Sequence, residues 1–462
     1  MIDASDPLLH AWQATLARGA AAPALLDPSG RTQRTFAEIA AEAAGLAAGA
    51  LRDFPPGAVV ALQLGNRPAW PAWLLACWRR RLVVLPLERS MAELEREAAL
   101  QICHAAALVT DGLQASVAGR NAEPVDWAGP PPALLKLTSG TTATPRAIRF
   151  RTGQLLADCT QICNAMGITD RDLNFGVIPV SHSYGFSSLL TPLLARGVPL
   201  VLSEDRMPRA VLEDLRRSRA TVFAGMPVFY QALVEMEAPP VPPELRLCIS
   251  AGAPLALPVA QKFRARFGLA IHSFYGSSEC GGICYDRAAS HDEQGFVGTP
   301  LAGVKLELLE PEATMSRVRV HSAAAGDGYF PIPQAEKLGG GSFVPDDLLV
   351  ATPEGFRIAG RASEVINVAG KKVSPAEVET ILLRFAGVRE AVVFGRASVL
   401  RNEEVAACVV AEAAVTETAL REFCRGRLSG WQVPKRIFFL EEMPVTERGK
   451  INRRQLAERF AS

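Results

Sequence analysis

The chain has 462 residues, enough at about 150 residues per domain for two or three structural units around large cores. Of these, 49% are apolar and 21% charged, and 49 Lys and Arg against 48 Asp and Glu leave a net charge of +1. The balance excludes a disordered or fibrous chain and argues against nucleic acid as the main partner.

The opening stretch MIDASDPLLHAWQATLARG has no basic region ahead of an apolar run, so no signal peptide is expected. FAEIAAEAAGLAAGALRDF reads as an Ala-rich amphipathic helix, followed by the turn PPG and the apolar strand AVVALQL. PAWLLACWRRR is helical and LVVLPL a short strand. SLLTPLLARGVPLVL is the nearest approach to a membrane span, but it contains Arg196 and falls short of ~20 residues. VLEDLRRSR then ATVFAGMP, and AQKFRARFG then LAIHSFYG, each predict a helix feeding a strand. Continuous apolar strands between helices predict an α/β fold with mostly parallel sheets flanked by helices. After about residue 325 the chain turns loop-rich, and GFRIAGRASEVINVAGKKVSPAEVETILL reads as strand, turn, strand and helix. We place a boundary at Arg361/Ala362, giving a large domain over 1–361 and a small α+β domain over 362–462. The nine cysteines form no zinc-like or disulfide-like pattern and predict reduced, mostly buried thiols in a cytoplasmic protein.

The most informative segment is LLKLTSGTTATPRAIRF, residues 134–150. A short apolar strand runs into Thr138, Ser139, Gly140, Thr141 and Thr142, with Pro145 and Arg146 just beyond. Glycine and small hydroxyl residues let backbone N–H groups face an anion, and a cation lies close by. A P-loop ATPase would need a second Gly followed by Lys and Ser/Thr, where this chain has Pro145, Arg146 and Ala147.

The loop resembles the S-G-T-T-G-x-P-K-G signature of the adenylate-forming superfamily of acyl-CoA synthetases, adenylation domains and luciferases. It departs from that pattern at Ala143, Arg146 and Ala147. Further segments resemble the family's motifs in the family's order: PVSHSYGF (179–186), CISAGAPL (248–255), SFYGSSECGG (273–282), VGTPL (297–301), PDDL (345–348), GRASEVINVAGKKVSPAEVE (360–379) and MPVTERGKINRRQL (443–456). The resemblance covers essentially the whole chain. It implies ATP and AMP contacts from Thr138 to Thr142, from Gly252, Ala253 and Pro254, and from Tyr275, Gly276, Ser277 and Ser278. It also implies ribose contacts from Asp347 and Arg361, Mg²⁺ on Glu279, and catalytic roles for Lys450, His182 and Glu279.

By the same resemblance the acyl pocket is lined by His182, Phe186, Met226, Phe229, Ala251, Gly276, Cys280 and Gly281. A thiol path passes Ala369, Gly370 and Lys371, the small α+β domain over 362–462 is mobile, and Ser363 stands at its hinge. The implied reaction joins a carboxylate to the ATP α-phosphorus, releases pyrophosphate, and passes the acyl group to a pantetheine thiol. The chemistry is positioning and charge neutralisation, because an anion must approach a polyanion. CoA is the expected acceptor, with a carrier-protein phosphopantetheine as the alternative and a non-catalytic acyl-adenylate binder as a third reading. The segment Ser181–Tyr184 lacks the Asp that pairs an α-ammonium in amino-acid adenylation domains, so an aryl or aliphatic acid is expected.

Overall fold

The computed structural model describes residues 6–110, 116–120, 122–138, 146–237, 239–290, 293–369, 371–398, 402–444 and 453–460. Two compact units emerge, one built from 1–292, 297–307 and 319–344, the other from 293–296, 308–318 and 345–462. The second unit takes in residues 345–361, ahead of the boundary expected from the sequence. The reason is local: the hairpin Asp347–Thr352/Gly355–Arg361 is tied to the following helix, with Ser374 Oγ donating to the Ala359 carbonyl.

In the first unit the predicted helices and strands appear in order. Phe36–Ala48 is a helix started by a reciprocal cap, Glu38 N–H to Thr35 Oγ1 at 3.2 Å and Thr35 N–H to Glu38 Oε2 at 2.7 Å. Val59–Gln63 is buried at every position and pairs in parallel with Val83–Pro86 and Ala105–Thr110, as an interior strand must. Val83–Pro86 in turn pairs with Leu134–Leu137, which turns antiparallel into Ala147–Phe150. A second sheet runs in parallel through Pro23–Leu26, Leu200–Leu202, Asn174–Gly176, Val222–Gly225, Leu247–Ser250 and Ile271–Ser277. Gly281–Tyr285 then adds antiparallel to Ile271–Ser277. The helix Thr152–Met166 buries Leu155, Cys159, Ile162, Cys163 and Met166 on one face, with Asp158 among them.

The second unit carries a five-stranded sheet in which Asn402–Ala411 lies between Val388–Ser398 and Arg436–Phe439. The helices Pro375–Leu382 and Glu417–Arg425 bury Val378, Leu382, Leu420 and Cys424 with Val393, Ala407 and Val409 of that sheet. Leu456 of the helix Arg453–Arg459 packs with Val392, Phe394, Cys408 and Val410, so both sheet faces are covered. The pair Lys371–Val373 adds a strand that the sequence pattern did not predict separately from Ile366–Val368. All nine cysteines are free and buried, and no helix among the described residues is long and apolar enough to cross a membrane.

Candidate active site

Ligands of open α/β sheets sit beyond the carboxyl ends of the parallel strands. Here the ends of Val222–Gly225, Leu247–Ser250 and Ile271–Ser277 carry Met226, Ala251 to Pro254, and Gly276 with Ser277. Ala251 N–H donates to the Gly225 carbonyl at 3.3 Å, holding two of these ends together. Gly252 sits at φ +86°, a left-handed turn open to solvent, and a Cβ there would stand 4.0 Å from Met226 Sδ. Ala253 and Pro254 are exposed beside it, leaving a flat ledge where the sequence resemblance places adenine.

Ile271–Ser277 and Gly281–Tyr285 form a tight hairpin in which Ser277 pairs with Gly281 and Gly276 with Gly282. Cys280 N–H donates to Ser277 Oγ at 3.2 Å, closing the turn. Tyr275 and Cys280 are buried, whereas Gly276 is exposed and Ser277, Ser278 and Gly281 are partly so. Ser183 Oγ donates to Ser278 Oγ at 3.0 Å, linking this hairpin to the segment with His182. His182 caps the short helix Ser183–Gly185, its Nδ1 accepting the Tyr184 N–H at 3.2 Å. That contact leaves Nε2 as the protonated nitrogen of the neutral ring. Phe186, one turn on, is fully buried, and Phe229 is also packed into the core. Of the expected pocket wall, His182, Met226, Gly276 and Gly281 therefore retain exposed surface, while Phe186, Phe229, Ala251 and Cys280 lie buried.

Glu279 is the electrostatic centre of the hairpin. Its Oε1 accepts the Tyr329 hydroxyl at 3.1 Å, and its carbonyl accepts the Gly326 N–H at 2.9 Å. Arg146 lies over the Tyr329 ring with its guanidinium carbon 4.0 Å from the centroid, and Nη1 donates to Gln334 Oε1 at 2.9 Å. Burial pushes the Glu279 carboxyl above its ordinary value, although Tyr329 and the charges of Arg146 and Lys337 draw it back. A partly buried carboxylate with a raised pKa gains from a cation, and Arg146 Nε is buried without a partner among the described residues. The pair suits a polyphosphate, with Arg146 offering a donor and Glu279 a metal ligand. Among the described residues no cluster of three acidic, His or Cys groups forms a metal cage. Magnesium bound through one carboxylate and substrate phosphates needs none, so Glu279 fits it.

Thr138 closes the base of the expected phosphate loop, its N–H and its hydroxyl both donating to the Arg146 carbonyl at 2.9 and 3.3 Å. Ser139, Gly140, Thr141 and Thr142 lie outside the described residues, as do Gly370 and Lys450. In the second unit Asp347 pairs with Arg361 across the hairpin, with Arg361 Nε 3.5 Å from Asp347 Oδ1. Ser363 Oγ donates to Asp346 Oδ2, and Ala362 N–H donates to the Asp346 carbonyl at 2.7 Å. Ala369 adopts φ +51°, and Lys371 Nζ lies 3.6 Å from the centre of the Trp431 ring.

Sequence reading did not single out Tyr329, Gln334, Lys136 or Asp158. Nothing in GDGYFPIPQ marks Tyr329 or Gln334. A Lys inside an apolar strand and an Asp on the buried face of a helix were visible signals.

A family model described as AMP-binding enzyme matches residues 12–321, and one described as AMP-binding enzyme C-terminal domain matches 377–450. Feruloyl-CoA synthase of Amycolatopsis sp. is 29% identical over 93% of this chain and 95% of its own. Oxalate–CoA ligase of Arabidopsis thaliana is 28% identical over 71% of this chain and 67% of its own. Among solved structures, ATP-bound MatB from Rhodopseudomonas palustris has a TM-score of 0.86 at 22% identity, covering 98% of this chain and 99% of that one. The o-succinylbenzoate CoA synthetase of Bacillus subtilis, in complex with its acyl-adenylate intermediate, has a TM-score of 0.83 at 24% identity over 96% and 97%. These two share its fold. With the first family model spanning well over half of the residues, the chain belongs to the AMP-binding enzymes, the adenylate-forming superfamily.

Proposed function

We propose that the protein is an ATP-dependent, AMP-forming acid–thiol ligase that makes an acyl-adenylate from a carboxylic acid and passes the acyl group to CoA. The observation that carries this reading is the Glu279–Tyr329–Arg146 cluster beside the carboxyl ends of the parallel strands. It sets an anionic metal ligand and an unpartnered buried donor next to the base of a Gly/Ser/Thr loop. The likeness to feruloyl-CoA synthase and oxalate–CoA ligase, in name CoA-dependent enzymes, supports CoA as acceptor.

In this reading the substrate carboxylate is already ionised, so no general base is required, and the need is charge neutralisation along the line of attack. Residues 139–142 hold the outgoing phosphates through backbone donors. Mg²⁺ on Glu279 supplies neutralisation of phosphate oxygens. Tyr275 and the ledge of Gly252 to Pro254 hold adenine, and Asp347 with Arg361 holds the ribose. His182, with Nδ1 fixed by the Tyr184 amide, stands at the mouth of the acyl pocket. Residues 1–361 then bind ATP and acid, while 362–462 carry Lys450 for adenylation and Ala369, Gly370 and Lys371 for thiol entry. Ser363 is the hinge between the two uses of the small domain. A carrier-protein pantetheine is the alternative acceptor. Nine buried free thiols support a reducing compartment, the cytoplasm. A non-catalytic binder would have no need to keep Glu279, Asp347, Arg361 and Lys450 together.

The test assays the half-reactions apart. Lys450→Ala should abolish acid-dependent pyrophosphate release yet still convert a synthetic acyl-adenylate and CoA to thioester. Gly370→Trp should form adenylate and fail at thioester formation, through bulk. Equal loss of both steps in a folded Lys450→Ala variant would rule out this division of labour.

A further inference from the structure

Two buried charges lie against the expected acyl pocket and serve no role described so far. Lys136, in the strand that leads to the phosphate loop, is only 5% exposed. Its ammonium lies 4.6 Å from the Phe150 ring centre and 5.5 Å from that of Phe186, the residue one turn beyond His182. It makes no hydrogen bond or ion pair with any described residue. Burial pushes its pKa down, and the nearby carboxylates that oppose this are Asp158 first, then Glu279. Asp158, 3% exposed, reaches from the helix Thr152–Met166 to the Glu279–Gly282 turn, where its Oδ1 accepts the Gly282 N–H at 2.9 Å. A Cβ on Gly281 would stand 2.1 Å from Oδ1 and 2.8 Å from Oδ2, so the carboxylate occupies the space a side chain at 281 would fill. Oδ2 receives no hydrogen bond from a described residue.

An isolated buried ammonium and a half-satisfied carboxylate are each costly, and they do not meet each other directly. The chemistry of what would satisfy both is narrow. A second carboxylate would pair with Lys136 but face Asp158, an ammonium would do the reverse, and an apolar end would leave both unmet. A neutral hydroxyl both accepts and donates. We propose that Lys136 and Asp158 form a polar end to the acyl pocket and select an acid with a hydroxyl remote from its carboxylate. The hydroxyl accepts from Lys136 Nζ and donates to Asp158 Oδ2. This rests on the reading of Phe186, Cys280 and Gly281 as pocket wall in an acid-activating enzyme.

The test compares kcat/KM for pyrophosphate release across acids that differ only at the far end: 4-hydroxybenzoate with benzoate, 4-hydroxycinnamate with cinnamate, and 6-hydroxyhexanoate with hexanoate. At least one pair should favour the hydroxyl tenfold or more, because a site built around a hydroxyl rejects the analogue that lacks it. The methyl ether of that acid, which accepts but cannot donate, should lose most of the advantage. Lys136→Met and Asp158→Asn should each shrink the ratio at least fivefold. Ratios within twofold for every pair, or a ratio that survives both substitutions, overturn the proposal. The wild-type ratios decide it if the variants do not fold. Should no acid release pyrophosphate, the adenylation reading fails instead. Calorimetry of the same pairs on the wild type then decides the pocket: tenfold tighter binding of a hydroxyl acid upholds it, and equal or absent binding overturns it.

Discussion

Gly281 offers a direct measure of how tightly the turn after Glu279 is built. Its φ of +67° is left-handed, and a Cβ there would stand 2.1 Å from Asp158 Oδ1 and 2.4 Å from Asp158 Cγ. Gly281→Ala therefore combines two penalties: about 1–2 kcal/mol for an L-residue in the left-handed region and about 1–3 kcal/mol for overpacking. The expected destabilisation is about 2–5 kcal/mol. Asp158→Ala alone leaves the Gly282 N–H unmet and costs about 1–3 kcal/mol. In the double variant the overpacking vanishes while the backbone strain and the unmet N–H remain. The two changes should thus be coupled, with the double variant about 1–3 kcal/mol more stable than additivity requires. Denaturant unfolding followed by far-ultraviolet circular dichroism measures all four corners of the cycle. Gly281→Ala within about 0.5 kcal/mol of wild type, or strict additivity, would refute the placement of Asp158 under the turn.

Further outcomes are expected at three residues. Glu279→Gln keeps size but removes charge, so Mg²⁺-dependent pyrophosphate release should drop at least ~10-fold, about 1.4 kcal/mol of barrier. Because burial raises the Glu279 pKa, the carboxyl takes its proton at a higher pH than an ordinary glutamate. Wild-type kcat/KM for MgATP should decline from that higher pH downward, and the variant should lack this limb. Asp347→Ala should raise the KM for ATP by an amount corresponding to about 1.5–3 kcal/mol; 2′,3′-dideoxy-ATP serving the wild type as well as ATP would remove the ribose role. Burial works to raise the pKa of Asp172, but two 2.7 Å bonds from Arg246, the Thr169 amide and the Thr221 hydroxyl outweigh it and the net shift is downward. That stability is present above the unfolded carboxyl value, ~3.9, and is lost as pH falls through the folded one, so Asp172→Asn should melt lower at neutral pH and show a flatter acid limb.

How much of this was legible in the sequence differs by kind of interaction. The buried strands read well, because Val59–Gln63 and Leu247–Ser250 are apolar at nearly every position and a parallel interior strand can hold little else. The turn at Gly252 and the strand Ile271–Ser277 were also readable through their order along the chain, whereas the returning strand Gly281–Tyr285 was not. What escaped was long-range. Tyr329 lies 50 residues from the carboxylate it binds, and Gln334 lies 188 from Arg146. No local pattern encodes such pairings. Asp158 and Lys136 broke the local pattern visibly, but their meaning depended on what the Glu279–Gly282 turn brought against them.

The departures from the family's motifs bear on whether the chain is a working enzyme, and among the described residues two of them, Arg146 and Asp346, have side-chain partners. Asp346, in the PDDL segment, and Ser363, at the proposed hinge, bond to each other through their side chains. Arg146 replaces a lysine, and the planar guanidinium that distinguishes it is what stacks on Tyr329 and reaches Gln334. Tyr329 in turn holds Glu279. A decaying site would accumulate substitutions independently, each leaving its neighbour unmet. Here Arg146 and Asp346 each have a partner suited to their own geometry, and Arg146 still keeps one buried donor without a partner among the described residues. That pattern fits the acid-activating function proposed above, in which Arg146 and Glu279 both serve the phosphates.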